Sequence, residues 1–592
     1  MRYARRFSVS TRWRAGLLPL CAALLPVLGG CHGEVGSTDF TAETPICDAS
    51  DPTQVVAPQQ IALLTSTQLM NMVKLVSPEE AQLIVDNQLF VVQSEFLARF
   101  PPAQFEKLKS IPNSTELSNI DLMANDVGNY VRDHFAAVSG CAAPATDACA
   151  TTYLNKIAAL AYRRALTQGE SDRFTGASGL YNTLRSQLVN GYQVTTSVEQ
   201  AAGNSVYALF MSPQLLWRWE LGSAVSASPP GVFLTDTELA TNLSFFLTDQ
   251  PPDDMLIAAA SAGTLRANLA SHVDRILASD AAKDRLAHIM KMYFTLNQLP
   301  GVIIDSTRPG FEIAGDGLYA DLEESSYRFV YDTMWNGKVM DLITSRKAFL
   351  NNNLASMVYK VPIPADATPT NFVPTMLPED QRSGLLTDAG FITRMARATG
   401  VGVVPRGLAV KALFLCLETP PPPANLTGDN GPVTTQRNML DMMTAQMQVQ
   451  SRRDTAPCNQ CHPTFDPYGL VLDWYDVVGR YREKDDLGMP IDGTTVLPAD
   501  VGGGTVHSAL ELAHSLTQGT VFMNCMAKSM LQYGLFDATT ATVELPVPAK
   551  MQRGCAAAGV ANAVQRSKGQ SFTDMARAVA TSPAFVLRTK VQ

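Results

Sequence analysis

Seven consecutive residues, Pro457 to Pro463, read Pro-Cys-Asn-Gln-Cys-His-Pro. Two thiols with two residues between them, followed at once by an imidazole, suit three chemistries. Both thiols can add to the vinyl groups of a haem while the adjacent histidine binds iron. The same residues can be half of a zinc site, which then needs two more ligands. They can also be a redox dithiol or a structural disulfide, neither of which uses the histidine. No second C-x-x-C occurs in the chain, and His507 and His514, seven residues apart, are the only downstream histidine pair. A thioredoxin-like dithiol expects a βαβ setting that the flanking text lacks. Haem attachment through Cys458 and Cys461, with His462 as proximal iron ligand, is the preferred reading.

Covalent haem attachment in bacteria follows translocation, so the start of the chain bears on this choice. Arg2, Arg5, Arg6, Arg12 and Arg14 precede an apolar run from Ala15 to Gly30. A basic start, a short apolar core and small terminal residues predict an export signal over 1–30, too short to span a bilayer well. The run ends Leu-Gly-Gly-Cys, similar to the lipobox of bacterial lipoproteins, in which the cysteine, here Cys31, is acylated. Residues 31–58 are polar and aperiodic and predict a tether. The expected location is the periplasm or cell surface, anchored to a membrane through the lipid, with the outer membrane foremost. Ten cysteines occur in all. Cys21 leaves with the signal and Cys31 carries lipid, so eight enter a compartment where disulfides persist. Cys141 and Cys149 share one polar loop and predict a local disulfide. A net charge of −9 excludes a basic nucleic-acid footprint, and 46% hydrophobic with 17% charged residues describes a globular chain.

The elements that must position the cysteines read as helices. Thr167 with Glu170, and Thr235 with Glu238, form capping-box signatures. Ser77 reads as a further N-cap, ahead of the acids of the "SPEEAQLIV" stretch. Four prolines, Pro420 to Pro423, predict an extended linker. The stretch Thr434 to Arg453 then predicts one helix delivering the chain to Cys458. Gly488 to Gly504 is the best candidate for a small β-excursion, and helices resume from Val506. Strand-like text is otherwise sparse and no fixed-period repeat is visible. Met439, Met442, Met443 and Met447 fall at helical spacing and predict core filler. The acidic pairs Asp253–Asp254 and Glu323–Glu324 predict helix-start and surface roles. His134, His272 and His288 are scattered, as structural histidines are. Signatures of serine hydrolases, zinc proteases, phosphate loops and dinucleotide folds do not occur.

The segment from Cys458 to Arg482, "CNQCHPTFDPYGLVLDWYDVVGRYR", resembles the C-x-x-C-H-x-x-M-D-P-x-G-F segment of a group of exported bacterial proteins. These carry tandem domains of unknown function numbered 1595, 1592, 1588 and 1585. "IAALAYRRALTQGESDRF" and "ALFMSPQLLWRWELG" are similar to the first, and "ELATNLSFFLTDQPPDDMLIAAASAGTL" to the second. "RSGLLTDAGFITRMA", "RGLAVKALFLCLETPPPP" and the haem segment are similar to the third, and "SALELAHSLTQGTVFMNCMAKSMLQYGL" to the fourth. The resemblance implies a mainly α protein: an N-terminal helical region (59–230), a central helical domain (231–378), a C-x-x-C-H domain (379–502) and a C-terminal helical domain (503–592) completing a cytochrome c-like haem region. Two departures stand out. Phe465 replaces the family's methionine, and Tyr533 to Asp537 reads YGLFD where the family has Y-A-L-G-R. Cys416 and Cys525 match family cysteines, which implies a disulfide and leaves Cys47 and Cys555 as a further pair.

One covalent haem c raises two further questions. The distal ligand would come from Met523 or Met526 first, with Met530, His507 and His514 behind them. Alternatively the methionines only pack their helix, leaving iron five-coordinate. Arg480 and Arg482 are candidates for propionate contacts; the alternative is a turn in which Asp466 caps a helix and the arginines make ordinary ion pairs. The leading expectation is a lipid-anchored c-type cytochrome passing single electrons to an unidentified redox partner. The second is a peroxidase- or oxygenase-like haem enzyme. The third is a surface-binding scaffold in which Cys458 and Cys461 form a structural disulfide.

Overall fold

A computed structural model describes residues 56–76, 112, 114–189, 192–227, 229–308, 310–417, 419, 443–535 and 547–589. The export segment, Cys31, Cys47, Ser77, Pro420–Pro423, Met439 and Met442 lie outside these residues. The protein is mainly helical, with small sheets. Among the described residues no helix is long and apolar enough to cross a membrane.

Local signals set most helix starts. The Gln168–Thr175 and Asp236–Thr248 helices carry the expected capping boxes at Thr167 and Thr235. Asp253 caps the Asp254–Ser261 helix by accepting from Leu256 N–H. Glu323 and Glu324 pair with Lys291 and Arg328 at the surface. The β-excursion is a two-stranded ladder, Thr495–Val496 against Thr505–Val506. The helix ahead of the cysteines is shorter than its text suggests. It spans Ala445–Asp454, because Thr444 is extended and its hydroxyl accepts from Met447 N–H, as an N-cap does. Met447 on that helix is 56% exposed, so the expectation of a core methionine fails there.

Most strands were not visible in the sequence, since each is four residues or fewer. Ala57–Pro58, at the end of the expected tether, runs parallel to Leu587–Thr589. That strand also pairs antiparallel with Pro230–Phe233, which pairs with Ala224–Ala227. Gln60–Leu63 pairs antiparallel with Trp217–Glu220. The two ends of the described chain therefore meet at the segment around residues 217–233. One apolar core, from Leu63 to Phe585, draws on all four expected segments.

A duplication underlies this junction. Ser212-Pro213 and Ser582-Pro583 each open a single-turn helix, Pro213–Leu216 and Pro583–Val586, with the serine hydroxyl as N-cap. Each helix runs into a strand, and each strand places an arginine six residues after its serine. Both arginines converge on Glu220: Arg218 Nη2 lies 2.6 Å and Arg588 Nη2 2.5 Å from its carboxylate, all three side chains being 0–1% exposed. Burial opposes the charge on Glu220, but Arg588 and Arg218 outweigh it and hold its carboxyl below the usual range. Arg588 also donates to the carbonyls of Ala584, Phe585 and Leu587. Arg163, buried, does the same for the carbonyls of Gln214, Leu215 and Trp217. Buried guanidiniums thus satisfy the open ends of both short helices.

Two expected disulfides are present, Cys141–Cys149 and Cys416–Cys525. Cys555 is disulfide-bonded as well. Cys416–Cys525 fastens the end of the Val403–Leu413 helix to the Val521–Gly534 helix, with the buried Tyr293 hydroxyl 3.5 Å from Cys525 Sγ. Burial pushes that phenol upward.

Candidate functional site

Cys458 to Leu470 folds as three short steps. Cys458–Gln460 and His462–Thr464 are successive 3₁₀ turns, and Asp466–Leu470 is a short helix. Pro457, Pro463 and Pro467 stand at or near the start of each step, where the missing N–H costs nothing and the fixed φ suits the turn. Residues three apart eclipse in a 3₁₀ turn. The bond from Cys461 N–H to the Cys458 carbonyl, 3.2 Å, therefore sets both cysteines on one side. The two residues are half-buried and are not bridged to each other. From Asp454 to Thr464 every residue is exposed or half-buried, so the segment is reachable from solvent.

His462 is oriented by a buried couple. Its Nδ1 lies 3.1 Å from Asp466 Oδ1, four residues on. The other carboxylate oxygen accepts from Arg452 Nε at 2.7 Å. Asp466 is 0% and Arg452 4% exposed at the side chain, against 21% for His462. A carboxylate can only accept, so Nδ1 is the donor in this pair, and in the neutral imidazole that tautomer turns the Nε2 lone pair outward. Asp466 is therefore not a helix cap: it is the first residue of its helix, and its side chain turns back to the imidazole.

The platform beneath is a close helix crossing. The Val403–Leu413 helix packs on Asp466–Leu470 through two glycines. A Cβ on Gly469 would stand 1.9 Å from the Val403 carbonyl oxygen, and one on Gly407 2.2 Å from that of Phe465. Lys411 on the first helix donates to Thr464 Oγ1 at 3.0 Å. Phe465, where the family has methionine, is 4% exposed, with its ring 4.8 Å from the His462 ring. Arg406, fully buried and pushed down to about 9 by burial, donates to the carbonyls of Leu472, Tyr475 and Asp476 and so pins the loop that follows.

The remaining candidates lie in other settings. Arg480 pairs with Asp476 at 2.5 Å, and Arg482 with Asp473 at 2.8 Å and Asp486 at 2.7 Å. Arg482 lines a cavity of ≈ 90 Å³ together with Arg308, Arg397, Asp473, Asp485 and Asp486, so guanidiniums and carboxylates balance there. Met523 and Met526 are 2% and 1% exposed within the main core. Their helix, Val521–Gly534, packs chiefly on Val547–Arg566 and Phe572–Ala580. His507 is exposed, with Nδ1 2.9 Å from Thr494 Oγ1, and His514 is exposed on the next helix. Among the described residues no group of three or more His, Cys, Asp or Glu is arranged to hold a metal ion, so a zinc site lacks its second pair of ligands there.

Sequence reasoning missed the Asp466–Arg452 couple and the two-glycine crossing. The His-x-x-x-Asp spacing was a signal for the first; Arg452 carried none. The segment 234–361 matches the family model described as a protein of unknown function (DUF1592), and 382–485 the one described as a protein of unknown function (DUF1588). No curated protein and no solved structure matches the chain.

Proposed function

Because the chain belongs to the family with these unknown-function domains, 1592 and 1588, in tandem, we propose that it is an exported, lipid-anchored c-type cytochrome-like protein passing single electrons through one covalent haem. The observation that carries this reading is the state of the C-x-x-C-H segment. It offers two cysteines on one side of a solvent-reachable turn. Beside them stands an imidazole whose Nδ1 is engaged by a buried carboxylate, which leaves Nε2 available. Metal-binding histidines are held this way, through the nitrogen that does not ligate. Cys458 and Cys461 would make the thioether bonds, and His462 Nε2 would be the proximal ligand. A haem bound there supplies one-electron exchange at its iron. Asp466 and Arg452 hold the ring, and the glycine crossing holds the turn against the body.

A second reading, a haem-dependent oxidative enzyme, draws support from the same carboxylate. A negative charge on Nδ1 makes the imidazole a stronger donor, which favours higher oxidation states of iron. The core packing of Met523 and Met526 points the same way, since it gives no support to a thioether on the open face.

The test is expression with haem-maturation machinery, followed by haem staining of a denaturing gel. A stained band is expected for the unmutated protein and none for Cys458→Ala/Cys461→Ala. An unmutated protein without covalent haem defeats both readings. Peroxide or carbon monoxide binding to high-spin iron would select the enzyme.

A further inference from the structure

We infer that Asp466 and Arg452 form an opposed pair that sets the reduction potential of iron bound at His462, with Asp466 lowering it and Arg452 restraining that effect; this rests on the haem reading above. The geometry orders the three groups in a line. The imidazole donates through Nδ1 to one oxygen of Asp466, and the other oxygen accepts from Arg452 Nε. Asp466 is wholly buried and Arg452 nearly so, so little solvent screens their charges from the ring. Arg452 Nη2 is also buried and makes no hydrogen bond among the described residues, so the guanidinium acts on the line through Nε.

The physical consequence follows from the order. Ferric iron carries one more positive charge than ferrous iron. A carboxylate behind the proximal ring stabilises the ferric state and lowers the potential. The guanidinium behind the carboxylate withdraws part of that charge and moves the potential back up. Asp466 and Arg452 are positioning residues here, acting only through His462. Mere packing by either residue predicts no such opposition of sign.

The experiment uses the full chain with haem attached. Covalent haem is verified first by staining, then the potential is measured by spectroelectrochemistry. Asp466→Asn keeps the shape and an acceptor oxygen but removes the charge, and should raise the potential. Arg452→Met removes the cation and keeps the stem, and should lower it. Shifts of the same sign, or none, overturn the inference while leaving the haem reading standing. Absence of covalent haem in the unmutated protein overturns both. Should either variant fail to fold, nitrogen-15 NMR of the unmutated ferrous protein decides. The His462 Nδ1 proton is expected to be protected from solvent exchange, and exchange as fast as that of a free imidazole refutes the inference.

Discussion

Glu220→Gln should be among the most damaging single changes in this protein, and the arrangement around it says by how much. The carboxylate is wholly buried between two buried guanidiniums, Arg218 at 2.6 Å and Arg588 at 2.5 Å, and Gln60 donates to it at 2.9 Å. Neutralising it leaves two like charges in the interior without their shared anion. Removing one partner of a buried ion pair costs about 3–5 kcal/mol, and the upper end applies because two cations are stranded. Arg588→Met is milder in charge, since Glu220 and Arg218 remain a neutral pair. It strips a donor from the carbonyls of Ala584, Phe585 and Leu587. At about 1 kcal/mol per hydrogen bond this amounts to about 3 kcal/mol. The assay is hydrogen exchange of the amides in 217–220 and 587–589 together with urea unfolding. At 1.4 kcal/mol per tenfold, about 5 kcal/mol means that Glu220→Gln should speed exchange there by about three and a half decades. The folded carboxyl sits below its unfolded range, so its contribution is present above the unfolded pKa and is lost as pH falls through the folded one. The unmutated protein should therefore lose stability on acidification below the ordinary glutamate range, and Glu220→Gln should lose less there. A Glu220→Gln protein within about 1 kcal/mol of the original, with unchanged exchange, would refute the account of the triad.

Three other changes have defined outcomes. Gly469→Ala places a Cβ 1.9 Å from the Val403 carbonyl, a backbone atom that cannot step aside. It should cost about 1–3 kcal/mol or more and lower haem incorporation, whereas Gly559→Ala on the Val547–Arg566 helix, where no atom lies within reach and the backbone is helical, should leave incorporation unchanged. Cys416→Ser with Cys525→Ser opens a loop of sequence separation 109 and should lower stability by about 2–4 kcal/mol in urea unfolding. Cys31→Ser should abolish lipid labelling and release the protein from membranes; retained labelling would show that the N-terminal segment is not a lipoprotein signal.

The sequence by itself determined what is written in neighbouring residues. Capping boxes at Thr167 and Thr235 were legible because a cap and its partner lie three residues apart. The Cys141–Cys149 bridge was legible because its loop is short. The C-x-x-C-H segment stood out as a candidate site because its side chains fall within five residues. Cys416–Cys525 was reached through family resemblance, since nothing local links cysteines so far apart. Tertiary structure decided whatever depends on distant partners. Asp466 looks like a helix cap beside its neighbours, yet it holds the imidazole four residues back, and only the packing of the preceding helix brings Arg452 to its other oxygen. Met447 has the period of a core residue but lies on the solvent side, because its helix is capped at Thr444 and buries Ala445, Val449 and Arg452 instead. The Ser-Pro duplication shows no fixed period because it has only two copies, at Ser212 and Ser582, far apart in the sequence. Their common purpose, two arginines on one glutamate, exists only once the last strand has docked beside the first.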